Sequence, residues 1–438
     1  MPRRYLIETY GCQMNVHDSE RMAGLLEQAG FEPTEDAGDA DLVVLNTCSV
    51  RERAQEKLFS RLGELRTLDD RPLIAVAGCV AQQEGANILK RAPYVDIVLG
   101  TQATRRLPAL VAEAASGGQQ QVDINPYDDV SFPLGLTRRG DPVRAYVTIL
   151  EGCNDYCAFC VVPYTRGHER MRSKAEILAE VEEAVRSGRK EIHLLGQIVN
   201  HYQAPDDPGC DFPGLLEAVD GVPGVERIRF ASPHPRHASD RLVQAIRDLP
   251  RVCKHVHLPV QSGSTRILTA MRRRHTREDY LSLVGRLRGA VPGIALSTDM
   301  IVGFPGETLE DFEDTLSLTR EVGFHSMFSF KYSQRPNTLA AKRMPDDVPE
   351  AEKARRLAEL QAVQKEIQWD LHRQAVGTSV AVLVDSRSRR NERELAGRTS
   401  GNTVVNLPGE PGWLGRTVMV RVLRAGPNSL SGEVSGAA

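Results

Sequence analysis

The chain reads as an α/β protein: an N-terminal doubly wound parallel-sheet domain, a central partial (β/α)6 barrel and a C-terminal small all-β barrel. Three observations predict this. Residues 1–100 repeat a short apolar strand, a turn and an amphipathic helix three times. Between Arg144 and Tyr332 strand and helix signals alternate six times, and strands alternating with helices imply a parallel sheet. Beyond Gly377 short strands separated by glycine-rich turns replace that pattern, as in a small barrel.

In the first domain, 1–115, strand Tyr5–Tyr10 precedes Cys12, Leu42–Leu45 precedes Cys48 and Leu73–Ala77 precedes Cys79. Helices are expected from Ser19 to Ala29, closed by Gly30, and from Val50 to about Leu68, with Leu58, Leu62 and Leu65 on one face. Residues 116–142, with Ser116-Gly-Gly, a glutamine run and scattered Pro and Gly, read as a linker.

The second domain, 143–374, carries strands Arg144–Leu150, Glu191–Leu195, Arg227–Phe230, His255–Leu258, Ala295–Val302 and Ser326–Tyr332. Its first long helix opens on the capping box Ser173-Lys-Ala-Glu176 and closes near Gly188. Pro336, Pro345 and Pro349 bracket a second linker. Glu350–Ala375 is then one helix whose stripe Leu357, Leu360, Val363, Ile367 and Leu371 suits packing on the barrel. The last domain, 376–438, has strands Val380–Val384, Thr403–Leu407, Thr417–Leu423 and Leu430–Val434. It holds eight Arg against five acids, a charge that suits RNA.

Composition narrows the classes. A chain of 438 residues with 41% apolar and 26% charged residues is globular and multidomain, and no stretch has the apolar length of a membrane span. The N-terminus lacks the apolar core of a signal peptide, so a cytoplasmic location is expected. There thiols stay reduced, and clustered cysteines read as metal ligands. A net charge of −3 marks no global polyanion binder, and the excess of Arg, 46 of the 55 cations, either suits stacking and forked phosphate contacts or reflects a compositional bias of the source genome.

The chemistry is carried by Cys153-Asn-Asp-Tyr-Cys157-Ala-Phe-Cys160, three thiols just past an apolar strand. A 4Fe-4S cluster takes one cysteine per iron, so three ligands leave one iron open to a chelating molecule. S-adenosylmethionine, through its amine and carboxylate, is the prime candidate. A reduced cluster can pass an electron to the sulfonium and release a 5′-deoxyadenosyl radical. Phe159 would pack near cluster and adenine, or simply in the core. A zinc reading needs a fourth donor, and His168 is the one candidate in the same loop. Cys12, Cys48 and Cys79 each follow a strand of one parallel sheet, where ligands bind beyond the carboxyl ends. Residues 36 and 31 apart in sequence are thus expected to converge on a second three-thiolate site.

Weaker signals have ordinary explanations. Gly303-Phe-Pro-Gly-Glu-Thr308 could bring backbone amides to a ligand, or be a tight turn. Arg272-Arg-Arg-His275 reads as a solvated helix face or a phosphate contact. Trp413 is the one stacking candidate in the last domain, so RNA affinity there should rest on backbone contacts and fall steeply with salt.

The cysteine motif, with Thr165-Arg-Gly-His-Glu-Arg-Met-Arg172, Leu195-Gly-Gln197, His257-Leu-Pro-Val-Gln-Ser-Gly263 and Gly303–Thr308, closely resembles the radical S-adenosylmethionine methylthiotransferases. Tyr10-Gly-Cys-Gln-Met-Asn15, Asn46-Thr-Cys-Ser-Val-Arg51, Gly78-Cys-Val-Ala-Gln82 and Ala231-Ser-Pro-His-Pro235 look like the branch that modifies tRNA. The resemblance covers essentially the whole chain, including a last domain like the family's TRAM barrel. It departs at Ile198, His168, Met171, Asn337 and Leu339, none of them a cysteine.

The resemblance implies two 4Fe-4S clusters: a radical-generating one on Cys153, Cys157 and Cys160, and an auxiliary one on Cys12, Cys48 and Cys79 that delivers sulfur. It implies S-adenosylmethionine as both methyl donor and radical source, with Phe159, Gly196 and Gln197 as contacts. The implied substrate is N6-dimethylallyladenosine beside the anticodon of tRNA, methylthiolated at C2. A low-potential donor such as a flavodoxin or ferredoxin is the expected electron source, with no membrane involved. The nearest alternatives act on threonylcarbamoyladenosine in tRNA or on a ribosomal-protein aspartate. A remoter one is a non-catalytic RNA-binding protein with structural metal, which would hold metal without cleaving S-adenosylmethionine.

Overall fold

A computed structural model of the chain describes residues 3–49, 52–125, 135–388, 391 and 394–437. The N-terminal strands β1 (Arg3–Tyr10), β2 (Phe31–Pro33), β3 (Leu42–Thr47), β4 (Leu73–Gly78), β5 (Ile97–Leu99) and β6 (Gln121–Asp123) form one parallel sheet in the order β2-β1-β3-β4-β5-β6. The order reverses between β1 and β3. Both faces are covered, as a parallel sheet requires. Met22 and Leu26 of helix α1 (Gln13–Gln28) pack one face beside Leu107 and Val111. Leu58 and Leu62 of α2 (Glu52–Leu65) and Val80 of α3 (Cys79–Glu84) pack the other.

Three expectations change here. Helix α1 begins at Gln13 rather than Ser19 because Asn15, His17, Asp18, Ser19, Glu20 and Arg21 are buried against other parts of the protein; their polarity hid the helix. The second helix is shorter than the expected span, and Val50 and Arg51 at its start lie outside the described residues. The stretch 116–142 is not a plain linker, because β6 extends the sheet from within it and its end lies on α1. There Arg138 N donates to Glu20 O at 2.9 Å. Residues 126–134 of that stretch lie outside the described residues.

The central strands are β7 (Arg144–Thr148), the short antiparallel pair β8 (Leu150–Glu151) and β9 (Arg170–Met171), β10 (Glu191–Leu195), β11 (Arg227–Phe230), β12 (His255–His257), β13 (Ala295–Val302) and β14 (Ser326–Lys331). All six expected barrel strands are present, split into parallel sheets β11-β10-β7 and β12-β13-β14. A parallel bridge, Ile228 to Val252, links β11 to the segment that enters β12. One apolar core nevertheless runs through both halves, from Val147 and Ile192 to Leu296 and Met300. Ser173 Oγ caps the helix Lys174–Arg186 by accepting from Glu176 N at 3.2 Å. The segment bracketed by Pro336 and Pro349 carries a short helix, Leu339–Arg343. The long helix Glu350–Gln374 buries Leu360 in the barrel core, with Leu357 and Val363 packed beside it.

At the C-terminus β15 (Ser379–Arg387), β16 (Glu394–Arg398), β17 (Val404–Pro408), β18 (Thr417–Ala425) and β19 (Leu430–Ala437) close into a barrel ordered β15-β16-β17-β19-β18. The unforeseen strand is β16, whose sequence Glu-Leu-Ala-Gly-Arg has no apolar alternation. Gly397 lets β15 approach closely: a Cβ there would meet the Leu383 carbonyl and, at 2.6 Å, Val382. Two arginines of β11 fasten this barrel to the central domain. Arg227 donates to Arg398 O at 2.5 Å and Arg229 to Thr399 O at 2.7 Å.

Candidate active site

Register places the first cysteine trio. Tyr10, Thr47 and Gly78 are aligned across β1, β3 and β4, and Cys12, Cys48 and Cys79 follow within two residues. The thiols therefore leave three adjacent strands at their carboxyl ends, at the reversal of strand order where open α/β sheets bind ligands. Gly78 has φ +89°, and a Cβ there would lie 2.6 Å from the Thr47 carbonyl, so only glycine fits this turn into α3. Buried amides lock the strand ends: Asn15 Nδ2 donates to Asn46 Oδ1 at 3.2 Å, and Asn46 Nδ2 to Asn15 O at 2.8 Å. A hydrogen bond from Cys48 holds the Cys12 thiol down at about 6, helped by the Arg166 charge and the amides opening α1. Burial instead raises Cys79, against the pull of Arg166.

The second trio lies on the loop after β8. Gly152, at φ +83°, turns the chain so that Cys153 N donates to Gly167 O at 3.1 Å. Cys160 N donates to Cys157 O at 3.0 Å, and Asp155 N lies 3.5 Å from Cys153 Sγ. Arg273 donates to Cys157 Sγ at 3.6 Å and to Pro259 O at 2.7 Å. Burial pushes the Cys153 and Cys160 thiols up to about 12, with neighbouring thiols adding to the rise. Metal ligation takes such protons.

Arg166 joins the two trios. It stands six residues past Cys160, yet its guanidinium is buried beside Cys12 and Cys79 and pairs with Asp18 at 2.6 Å. Its own backbone is held from the first domain: Gln102 Nε2 donates to Arg166 O at 2.9 Å, and Thr101 Oγ1 to Thr165 O at 2.6 Å. A wider polar seam surrounds this contact. His17 lies 2.7 Å from Thr148 Oγ1 and 3.2 Å from Glu180 Oε1, and Arg172 donates to Glu180 at 2.6 Å. Burial and the Arg21 charge lower His17 to about 4, so the imidazole is neutral. Its Nε2–H then donates to Glu180 and its Nδ1 accepts from Thr148.

Both trios fit iron–sulfur clusters by their donor sets. Among the described residues no three His, Cys, Asp or Glu side chains converge on a single ion. A cubane cluster places one thiolate on each of several irons, so its ligands stand around it; structural zinc requires four donors on one point. His168, the fourth donor a zinc reading needs, turns to Asn154 Oδ1 at 3.2 Å. Among the described residues, buried donors without hydrogen-bond partners flank each trio, Arg166 Nη1 and Ser49 Oγ at the first and Arg273 Nε at the second. Thiolate and sulfide are suitable acceptors for them.

Of the expected S-adenosylmethionine contacts, Phe159 packs partly buried against the small apolar cluster that includes Met271 and Phe304. Gly196 closes on Leu150, where a Cβ would lie 2.7 Å from Cγ. Gln197 Nε2 sits 2.6 Å from Met14 Sδ, and its buried Oε1 has no hydrogen-bond partner among the described residues. Within the Gly303–Thr308 loop Gly303 N donates to Glu307 Oε1 at 2.8 Å. Arg272–His275 is not a solvated helix face. It is an irregular link in which Arg273 and His275 are buried while Arg272 and Arg274, both at positive φ, face outward. Trp413 packs against the C-terminal core. Arg166, Asp18 and Arg273 escaped sequence reasoning as site residues, although Arg166 lies in a motif quoted for the family and Arg273 in the cationic run.

Three family descriptions match the chain: "Uncharacterized protein family UPF0004" over residues 4–100, "Radical SAM superfamily" over 147–319 and "TRAM domain" over 373–435. It is 49% identical to the tRNA-2-methylthio-N(6)-dimethylallyladenosine synthase of Halorhodospira halophila, over 98% of this chain and 92% of the relative. It is 48% identical to the enzyme of that name from Bordetella pertussis, over 98% of each chain. It is 44% identical to that of Neisseria gonorrhoeae, over 99% of each. Among solved structures, the radical S-adenosylmethionine methyltransferase TsrM from Kitasatospora setae, with tryptophan substrate and a SAM analog bound, superposes with a TM-score of 0.57. That match has 16% identity over 88% of this chain and 79% of that one, a likeness of fold.

Proposed function

Because the chain belongs to the tRNA-2-methylthio-N6-dimethylallyladenosine synthases, a radical S-adenosylmethionine methylthiotransferase family, we propose that it methylthiolates C2 of N6-dimethylallyladenosine beside the anticodon of tRNA. Cys153, Cys157 and Cys160 hold the radical-generating 4Fe-4S cluster, and Cys12, Cys48 and Cys79 hold an auxiliary 4Fe-4S cluster. When bound, the first supplies reductive cleavage of S-adenosylmethionine and the second an open iron for the sulfur to be transferred. The observation that carries this reading is the alignment of Tyr10, Thr47 and Gly78, which puts three thiols at one sheet end, two of them, Cys12 and Cys79, beside Arg166 from the other cysteine loop.

The chain's own residues orient and seal this arrangement. Asp18 fixes Arg166, whose guanidinium lies beside Cys12 and Cys79 with Nη1 buried. Thr148, His17, Glu180 and Arg172 close a water-poor seam that holds α1 against β7 and the helix Lys174–Arg186. Gln197 and Met14 bring the second domain's strand end against the residue two past Cys12. Phe159 offers an apolar face beside the second trio. The C-terminal barrel, held by Arg227 and Arg229, contributes tRNA backbone contacts. A flavodoxin or ferredoxin supplies electrons in the cytoplasm, and no helix among the described residues is long and apolar enough to cross a membrane.

The test is nucleoside mass spectrometry on dimethylallyl-modified tRNA incubated anaerobically with reconstituted protein, S-adenosylmethionine and dithionite. A 2-methylthio product is expected. Replacing Cys12, Cys48 and Cys79 by Ala should abolish that product and keep 5′-deoxyadenosine formation. Replacing the second trio should abolish both. If the first triple variant still methylthiolates, the sulfur-delivery assignment fails.

A further inference from the structure

A cavity of about 230 Å³ opens beside the second trio, with Cys157 and Cys160 in its wall and Tyr164, Arg272, Lys342 and Arg343 around it. We propose that its rim is the docking surface for the electron carrier, a small acidic one-electron protein of the flavodoxin kind. This rests on the reading that Cys153, Cys157 and Cys160 hold the radical-generating cluster.

Three observations support the assignment. First, the cations are unspent: among the described residues neither Arg272, Lys342 nor Arg343 has a carboxylate partner, whereas Arg273 beside them is turned inward to Cys157. The Lys342 ammonium lies over the face of the exposed Tyr164 ring, 5.8 Å from its centre. Second, the cations are mounted on the cysteine loop itself. Ala158, between Cys157 and Cys160, donates its N–H to Met271 O at 2.9 Å and accepts from Ala340 N at 2.8 Å. Those two bonds pin the segment carrying Arg272 and the short helix carrying Lys342 and Arg343 to the same residue. A partner held by the cations is thereby registered on the thiols.

Third, every residue lining the cavity belongs to the central domain. Sulfur transfer to RNA needs both trios, but electron delivery needs only this one. The carrier would be oxidised by one electron, the cluster that Cys153, Cys157 and Cys160 would hold would be reduced by one, and no bond or proton would move. Transient redox contacts are small and electrostatic, and charge complementarity acts mainly on their association rate.

The experiment compares the reconstituted holoenzyme with its Lys342→Glu/Arg343→Glu variant, following 5′-deoxyadenosine formation with a reduced flavodoxin system or with dithionite. With flavodoxin the variant should be slower by about tenfold at low salt and lose the salt dependence of the wild type. With dithionite the two should agree within about twofold. Equal losses with both reductants would overturn the proposal, since the cations would then serve the site itself. Equal rates with both would overturn it by placing the carrier elsewhere. A raised tRNA KM under dithionite, with unchanged flavodoxin rates, would reassign the rim to RNA. Failure of the wild type to cleave S-adenosylmethionine with dithionite would sink the cluster reading instead.

Discussion

Asp18 and Arg166 meet at 2.6 Å across the junction of the first two domains, with side chains only 8% and 4% exposed. The pair ties the helix that follows Cys12 to the loop that follows Cys160, so this ion pair is one of the contacts that set the relation of the two trios. Removing one partner of a buried pair leaves the other charge unpaired, at a cost of about 3–5 kcal/mol. Asp18→Ala should therefore destabilise the metal-free chain by about that much in urea unfolding, and Asp18→Ala/Arg166→Met by less than the sum of the singles. In the reconstituted Asp18→Ala enzyme the ratio of methylthio product to 5′-deoxyadenosine should fall. An unchanged ratio would mean the pair is only structural.

The seam around His17 should respond to pH. Its folded-state value, about 4, lies below the 6.5 of an exposed imidazole because burial outweighs the Glu180 bond. The unfolded chain thus binds the proton more readily between those values, and stability falls as pH drops from about 6.5 toward 4. The full effect is about 3 kcal/mol at most. Thermal unfolding of metal-free protein should show this slope, and His17→Gln should flatten it. A slope unchanged in that variant would assign the effect to other groups.

Gly78 is the tightest point in the first trio. An alanine there would carry φ +89° and overlap Asn46 as well as the Thr47 carbonyl. Strain of this kind costs about 1–3 kcal/mol, and relieving it displaces Cys79. Gly78→Ala should lower iron bound per chain while 5′-deoxyadenosine formation survives. Full iron content in the variant would contradict the geometric argument.

Much of this was legible in the sequence because it was local. The CxxxCxxC spacing states a three-thiolate loop by itself. A strand followed by a cysteine, met three times, predicts convergence once the sheet is parallel, since parallel strands share one carboxyl end. The helix stripe at Leu357 and Leu360 reports its own burial. Other elements had no local signature. Strand β16 is made by its neighbours, because Glu394-Leu-Ala-Gly-Arg398 has no alternating face and acquires its hydrogen bonds from β15 and β17. The run Arg272–His275 looked like one charged surface, yet left-handed turns at Arg272 and Arg274 send alternate side chains inward.

By itself the sequence determined the two cysteine trios, the alternation of strands with helices and the end of each sheet at which the thiols emerge, since these follow from short-range periodicity and spacing. Only the tertiary structure decided that the polar face of α1 is buried, that Arg166 serves the opposite trio and that Arg273 rather than Arg272 touches Cys157. Periodicity marks apolar faces, whereas a polar residue is buried only where a distant partner, here Asp18 for Arg166 or Glu180 for His17, satisfies it.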